Sequence, residues 1–203
     1  TRFGEIQAQD LKADLMLDTG SGKVSVARHL GSLDIDTGSG DVSIATAQGK
    51  ILVDTGSGDV DIIDGHGRIN ADTGSGDVRL KGNRGDVRAD TGSGEVDIKD
   101  FADGSDLDLD TGSGSVGVEG DLAQVRRLRI DTGSGDIKVI THTAASLELE
   151  ADSGSGSVTV DVPGAHVEQR ERTHAQATIG AGAGKAKLDA GSGSIEFRQV
   201  PAR

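Results

Sequence analysis

Residues 33–44 read LDIDTGSGDVSI, and this stretch decides the fold. Apolar residues alternate with polar ones on both sides of the glycine-rich pentapeptide DTGSG, with Leu33 and Ile35 before it and Val42 and Ile44 after it. Alternation with a period of two is typical of a β-strand that buries one face. The stretch therefore predicts two strands joined by a tight corner.

The same unit recurs along almost the whole chain. The pentapeptide begins at Asp18, Asp36, Asp54, Asp72, Asp90, Asp110 and Asp131, and variants of it begin at Asp152 (DSGSG) and Asp189 (DAGSG). Its step is 18 residues over the first four intervals and then lengthens to 20 or 21. One unit offers too few apolar residues to offset the entropy of ordering it, so the units must stack. We therefore predict an all-β fold, a two-sided parallel β-solenoid of about nine coils with 18–21 residues each, and we expect it to be right-handed.

The repeat also predicts the core and the pairing. Each strand is expected to pair with its equivalent one repeat later, and the apolar pairs beside every corner, from Leu15 and Leu17 to Ile195 and Phe197, are expected to point inward. An immunoglobulin-like sandwich would not need the same pentapeptide in every unit. A propeller or a leucine-rich repeat needs a longer unit or a helical segment.

The chain is interpreted as one solenoid domain over residues 1–203. The period is interrupted by VDVPGAHVEQRERTH, which we expect to leave the stack before the last repeat. The predicted parts are an incomplete N-terminal coil at 1–14, regular repeats at 15–161, and an irregular excursion with a closing coil at 162–203. Phe3 and Phe197 lie near opposite chain ends, where we expect them to cover the open core.

Composition excludes several classes of partner and chemistry. The formal charge is −13, and three Phe residues are the only aromatic rings apart from histidine, so we expect no nucleic-acid partner. The absence of cysteine excludes disulfides and thiolate metal sites. No apolar run approaches the roughly 20 residues of a membrane-spanning helix, so we expect no transmembrane segment in this chain.

The repeated units of the form [DE]TGSG[DE]Vx[IVL], the late VDVPGA segment and the closing AGSGSIEF resemble a known family. They are similar to a bacterial adhesin-like family of β-strand-repeat proteins with DTGSGDV units, a domain of unknown function. The resemblance covers nearly the whole chain. It implies a β-solenoid and an extracytoplasmic setting at the cell surface, in the periplasm or outside the cell, and it carries no catalytic residues.

The aspartate before each corner is the candidate for ligand binding. Stacking would align Asp18, Asp36, Asp54, Asp72, Asp90, Asp110, Asp131 and Asp152. Carboxylates about 4.8 Å apart repel one another, so something must offset the repulsion. Amides of the following turn are one explanation, and calcium or another hard cation between the carboxylates is the other. The spacing lacks the ligand pattern of an EF-hand loop and the nonapeptide of calcium-binding β-rolls, so we expect no resident cofactor, with calcium as the alternative.

Three further patterns are candidates for a catalytic or binding site. DTGS also occurs in pepsin-like proteases, but seven copies in one ladder provide no unique pair of carboxylates across a cleft. The threonine of each pentapeptide, at 19, 37, 55, 73, 91, 111 and 132, would form a regular array of the kind that binds ice or minerals. The five histidines lack metal-ligand spacing, and we expect them to be solvated corner residues.

These observations favour a non-enzymatic structural or surface-interaction rod. The competing function is a cation-dependent or ice-binding array. No capping helix is visible at either end, so two states remain open: pairing of the last coil with the first coil of another copy in a head-to-tail filament, and a capped monomer displayed on a membrane or wall anchor. A surface ligand is a further expected partner, which the sequence does not name.

Overall fold

Strands begin where the alternating apolar residues begin, on both sides of each corner. The computed structural model describes residues 3–200, which contain strands and turns but no helix. The strands are β1 (Ile6–Lys12), β2 (Leu15–Thr19), β3 (Val24–Leu30), β4 (Leu33–Thr37), β5 (Val42–Thr55), β6 (Val60–Thr73), β7 (Val78–Lys81), β8 (Val87–Thr91), β9 (Val96–Phe101), β10 (Asp106–Thr111), β11 (Val116–Gly120), β12 (Arg127–Thr132), β13 (Ile137–Thr141), β14 (Leu147–Ser153), β15 (Val158–Asp161), β16 (His166–Arg170), β17 (His174–Ile179), β18 (Gly184–Ala190) and β19 (Ile195–Gln199).

The strands stack in two long parallel ladders. The leading ladder contains the strands that precede the corners, in the order β2, β4, the end of β5, the end of β6, β8, β10, β12, β18 and β14. The trailing ladder contains the strands that follow them, in the order β1, β3, the start of β5, the start of β6, β7, β9, β11, β13, β19 and β15. The predicted all-β parallel solenoid is confirmed, with about 8 turns.

The predicted inward residues form the core. From Val24 to Val158 and again from Ala186 to Phe197, the apolar pairs beside the corners are buried. Leu15, Leu17 and Val160 are only partly buried, because they belong to the coils at the two ends of the stack. The period-two pattern therefore identified which side chains face inward.

A short third side joins each trailing strand to the next leading strand in the first coils. The chain turns there at a residue in the left-handed region, namely Arg28 (φ 52°), Thr46 (φ 57°) and Asp64 (φ 53°). The residue after each turn lies inside, so His29 pairs in register with Ala47 one coil later. The cross-section thus has two long sides and a short one, which the sequence did not predict.

The order of coils departs from the order of the sequence at the C-terminal end. β18 pairs with β12 on one side and with β14 on the other, and β19 lies likewise between β13 and β15. The prediction that every strand pairs with the next repeat is wrong here, because the last coil inserts between two earlier ones. Phe197 is consequently buried in the interior and does not cover an end, while Phe3 is 81% exposed.

An antiparallel hairpin covers the leading ladder at the C-terminal end of the stack. β17 pairs antiparallel with the free side of β14, and β16 pairs antiparallel with β17. Ala175, Ala177 and Ile179 of β17 are buried against the core, and Val162 and Ala165 of the connection pack beside them. The expectation of an uncapped last coil is therefore wrong.

Candidate functional site

The aspartates before the corners form one continuous column, which we call the aspartate column. In stacking order it contains Asp18, Asp36, Asp54, Asp72, Asp90, Asp110, Asp131, Asp189 and Asp152. The eight candidates from the sequence are all present. Asp189 is an addition, and the DAGSG variant of the motif is the signal that marks it.

Turn amides do not neutralise the middle of this column. The side-chain carboxylates of Asp54, Asp72, Asp90 and Asp110 have neither a hydrogen bond nor an ion pair with any residue that the structure describes. Towards the capped end, Asp131 lies 3.2 Å from Arg129, and Asp152 accepts a hydrogen bond of 2.5 Å from Nδ1 of His174 on β17. The explanation based on turn amides is therefore wrong for the middle of the column.

The amides are instead bound by the acidic residue that follows the corner. Asp41, Asp59 and Asp77 each accept the backbone N–H of the equivalent residue one coil later, at 3.1, 3.0 and 2.9 Å. Asp59 also accepts a 2.8 Å hydrogen bond from Arg79. The two aspartates of one DTGSGD corner thus differ in role, because the second holds the next coil and the first does not.

Electrostatics distinguish the two positions in the same way. Partial burial raises the pKa of Asp72 above its ordinary value, and the neighbouring Asp90 and Asp54 raise it further. Burial likewise raises the pKa of Asp110, with Asp131 and Asp90 as the next causes. Proton uptake relieves the repulsion in this column, so the carboxylates of these two residues bind protons more readily than an isolated aspartate.

By contrast, the pKa of Asp59 lies below its ordinary value. The hydrogen bond from Arg79 is the largest cause, and the backbone N–H of Asp77 is the next. The ionised form of Asp59 is therefore the form that holds the stack together.

The aspartate column and the histidines do not form a metal-binding cluster in the part of the chain that the structure describes. Residues 3–200 contain no group of three or more His, Asp or Glu side chains placed to hold a metal ion. The acidic column therefore presents charge along a line and no converging set of ligands.

The threonines of the pentapeptide are structural. The threonines at 19, 37, 55, 73, 91, 111 and 132 are each about 1% exposed. Thr73, Thr91 and Thr111 donate their hydroxyls to glycine carbonyls of the preceding coil, at 3.0, 2.9 and 2.8 Å. A surface array of these hydroxyls for ice or mineral binding is therefore ruled out, because the side chains lie inside the corner.

The second glycine of each corner is required by the approach of neighbouring coils. A Cβ atom built on Gly94 would lie 1.8 Å from the carbonyl oxygen of Gly76, and one on Gly193 would lie 1.9 Å from that of Gly135. Neither glycine has a positive φ. The corner sequence TGSG therefore reflects the close stacking of neighbouring backbones.

The sequence predicted that all five histidines lie in solvent, and this is wrong for His29. His29 is 1% exposed on the short third side, where its Nε2 lies 3.3 Å from the carbonyl oxygen of Ser32. His66 and His166 are exposed as predicted. The burial of His29 was missed because it lies in the variable corner, where the period of two is interrupted by a left-handed residue.

The concave surfaces of the rod are shallow grooves on its outer faces. One, of about 540 Å³, lies on the leading ladder between Arg68, Arg88 and Arg127 and the carboxylates of Asp86 and Asp106. Another, of about 380 Å³, follows the short third side over His29 and Ala47. Both grooves are bordered by basic and acidic side chains.

The described residues contain no helix of the length and apolar character needed to cross a membrane. The model of the family Toastrack DUF4097 matches residues 5–198. No curated protein and no solved structure matches the chain. Because the family model covers almost all of the solenoid, the chain belongs to the Toastrack DUF4097 family, a repeat domain of unknown function.

Proposed function

We propose that this chain is a non-enzymatic rod that acts by contact along its outer faces on the exterior of a bacterial cell. The observation that carries the proposal is how the repeat uses its polar groups. Threonine hydroxyls bind glycine carbonyls, post-corner aspartates bind the next amides, and glycines admit the neighbouring backbone. The polar groups of the motif therefore stabilise the stack of coils, and the stack provides the long, regular surface that an interaction module requires.

The outer faces supply the contacts of such a module. On the trailing ladder Asp61, Arg79 and Asp97 lie side by side in successive coils. On the leading ladder Arg127 forms an ion pair of 2.6 Å with Asp106 of the preceding coil. Exposed ion pairs of this kind add little to the stability of the fold. Their charged side chains, which recur from coil to coil, can therefore form contacts with a partner.

Surface retention tests the adhesin-like role. Beads coated with the chain should be retained on mucin or on isolated peptidoglycan, and beads coated with the Arg88→Glu/Arg127→Glu variant should be retained less. Both arginine side chains lie on the outer face, so circular dichroism should show the variant to be folded. Equal retention of the chain and of albumin-coated beads on both surfaces would reject the role, and catalytic turnover in a panel of hydrolase substrates would reject the non-enzymatic assignment.

The extracytoplasmic setting needs a separate test. Protease added to intact bacteria that express the natural protein should cleave it, while a cytoplasmic marker stays intact. Cleavage only after lysis would place the solenoid inside the cell.

Calcium binding along the aspartate column is the second candidate. Its support is that the carboxylates of Asp72 and Asp90 have no hydrogen-bonding partner among the described residues, and it is the weaker candidate because those residues offer no converging set of ligands. Calorimetric titration with calcium should give saturable heat that disappears in the Asp72→Asn/Asp90→Asn variant. A titration without heat would eliminate this candidate.

A further inference from the structure

The two ends of the solenoid are built differently. At the C-terminal end β16 and β17 cover the leading ladder, and β16, the outer strand, is exposed along its whole length and contains the charged Glu168 and Arg170. Charged residues on a short edge strand oppose pairing with another chain. The leading ladder is therefore closed to further stacking at this end, and the trailing ladder ends in the four-residue β15, whose Val158 N–H donates to the carbonyl oxygen of Arg172.

The N-terminal end exposes both of its edge strands. Within residues 3–200, β1 pairs only with β3, and β2 pairs only with β4. The core residues beneath these strands, Ile6, Ala8, Leu15 and Leu17, are only partly buried. Met16 on β2 is 77% exposed. Unpaired strand edges above a half-open apolar core are sites at which another chain adds.

The charges at the two ends of β1 fit a second copy of the same chain. The outward residues of β1 include Gln7 and Gln9, which are uncharged and exposed. Glu5 lies just before β1, and Lys12 ends it. When two β1 strands pair antiparallel about a two-fold axis, the acidic start of each approaches the basic end of the other, and such opposite charges favour the pairing.

We propose that two copies associate through their N-terminal coils, edge to edge, into a closed two-fold dimer. The interface is isologous, so the same strands β1 and β2 are used by both copies. Association stops at two because at the other end of each rod the hairpin covers the leading ladder, and only the four-residue β15 ends the trailing ladder. The dimer replaces the head-to-tail filament that the sequence left open, because β18 and β19, the last coil of that filament model, are already paired on both sides. The proposal does not depend on the adhesin-like role.

Net charge sets the conditions for the test. Each chain carries a formal charge of −13, so two copies repel at low ionic strength. At about 0.1 M salt the screening length falls to roughly 10 Å, and the local contacts of the edge strands then outweigh the repulsion. Dimerisation is therefore expected to strengthen with added salt.

Light scattering coupled to size exclusion tests the proposal. At 0.3 M salt the chain should show a concentration-dependent mass that approaches twice 20.6 kDa. The Gln7→Lys/Met16→Lys variant places like charges on the two edges and should remain monomeric. The matched control Val167→Lys changes the exposed face of β16 at the capped end and should still dimerise. Circular dichroism verifies that all three proteins are folded.

Four results would overturn the proposal. They are a monomeric mass of the unmodified chain at every concentration and salt, growth beyond the dimer, unchanged dimerisation of Gln7→Lys/Met16→Lys, and loss of the dimer in Val167→Lys. None of these readouts involves adhesion, so failure of the dimer and failure of the proposed function are distinguishable.

Discussion

The coils before residue 142 and the coils after it use the same motif but are assembled differently. In the first region each coil lies on the one before it, so order in sequence equals order in space. In the second region β18 and β19 insert between coils that are consecutive in sequence. The repeat therefore specifies which residues are equivalent, and the irregular segment at 162–183 determines which coils are neighbours.

Glycine substitutions should have the largest effect and should affect both regions alike. Gly94→Ala and Gly193→Ala each place a Cβ atom on a neighbouring carbonyl oxygen, and we expect each to cost roughly 3–5 kcal/mol of unfolding free energy. Gly117→Ala is the control, because its Cβ atom would meet only the Asp97 carboxylate oxygen, at 3.2 Å, and should cost less than about 1 kcal/mol. Urea unfolding measures the three values. Equal values for all three would contradict close stacking at the corners.

A core truncation separates the inserted coil from the hairpin cap. Leu188 in β18 is completely buried, so Leu188→Ala should destabilise the protein by about 2–5 kcal/mol. Val167 in β16 is 36% exposed, and Val167→Ala should change stability by no more than about 0.5 kcal/mol. Thermal and urea unfolding of the two variants provide the comparison. A small effect at Leu188 would mean that β18 is not enclosed by two neighbours.

Neutralising the two kinds of aspartate should change stability in opposite directions. Asp59→Asn weakens the bonds to Arg79 and to the Asp77 amide, and should cost about 0.5–1 kcal/mol, since the side chain is 40% exposed and partly screened. Asp72→Asn removes a repelling charge from the aspartate column and should stabilise the protein by a few tenths of a kcal/mol, roughly. Urea midpoints at pH 7 test both signs. Equal destabilisation by the two substitutions would show that Asp72 has a stabilising partner.

The pH dependence should separate the same two positions with a smaller effect. The pKa values of Asp72 and Asp110 are raised in the folded chain, so their ionisation opposes folding at neutral pH, and this cost is relieved as the pH falls towards their pKa values. The pKa of Asp59 is lowered, so its contribution is present at neutral pH and is lost only below its ordinary value of 3.8. Between pH 7 and the ordinary aspartate pKa of 3.8, the stability difference between Asp72→Asn/Asp110→Asn and the unmodified chain should therefore shrink. A difference that stays constant or grows would contradict the raised pKa values.

The sequence predicted the ladders because the inward residues, from Val24 to Phe197, follow a strict period of two. It also identified the aspartate column, although hydrogen bonding at the corner belongs to residues such as Asp59, which recur just as regularly. Which of the two aspartates of a corner forms the hydrogen bond depends on where each carboxylate points relative to the amide of the next coil. The inserted coil could not be predicted, because Leu188 fits beside Ile130 and beside Ala151 equally well as one member of an apolar column.

Hydrogen exchange at single-residue resolution tests the inserted coil most directly. Amides exchange slowly where strands are paired on both sides within the cooperative core, and they exchange quickly at frayed edges. The account predicts that β18 and β19 are protected as strongly as β12 and β13, whereas β16, at the outer edge of the cap, exchanges fastest among these strands. Faster exchange in β18 and β19 than in β14 and β15 is the behaviour of a last coil stacked in sequence order, and it would contradict the account.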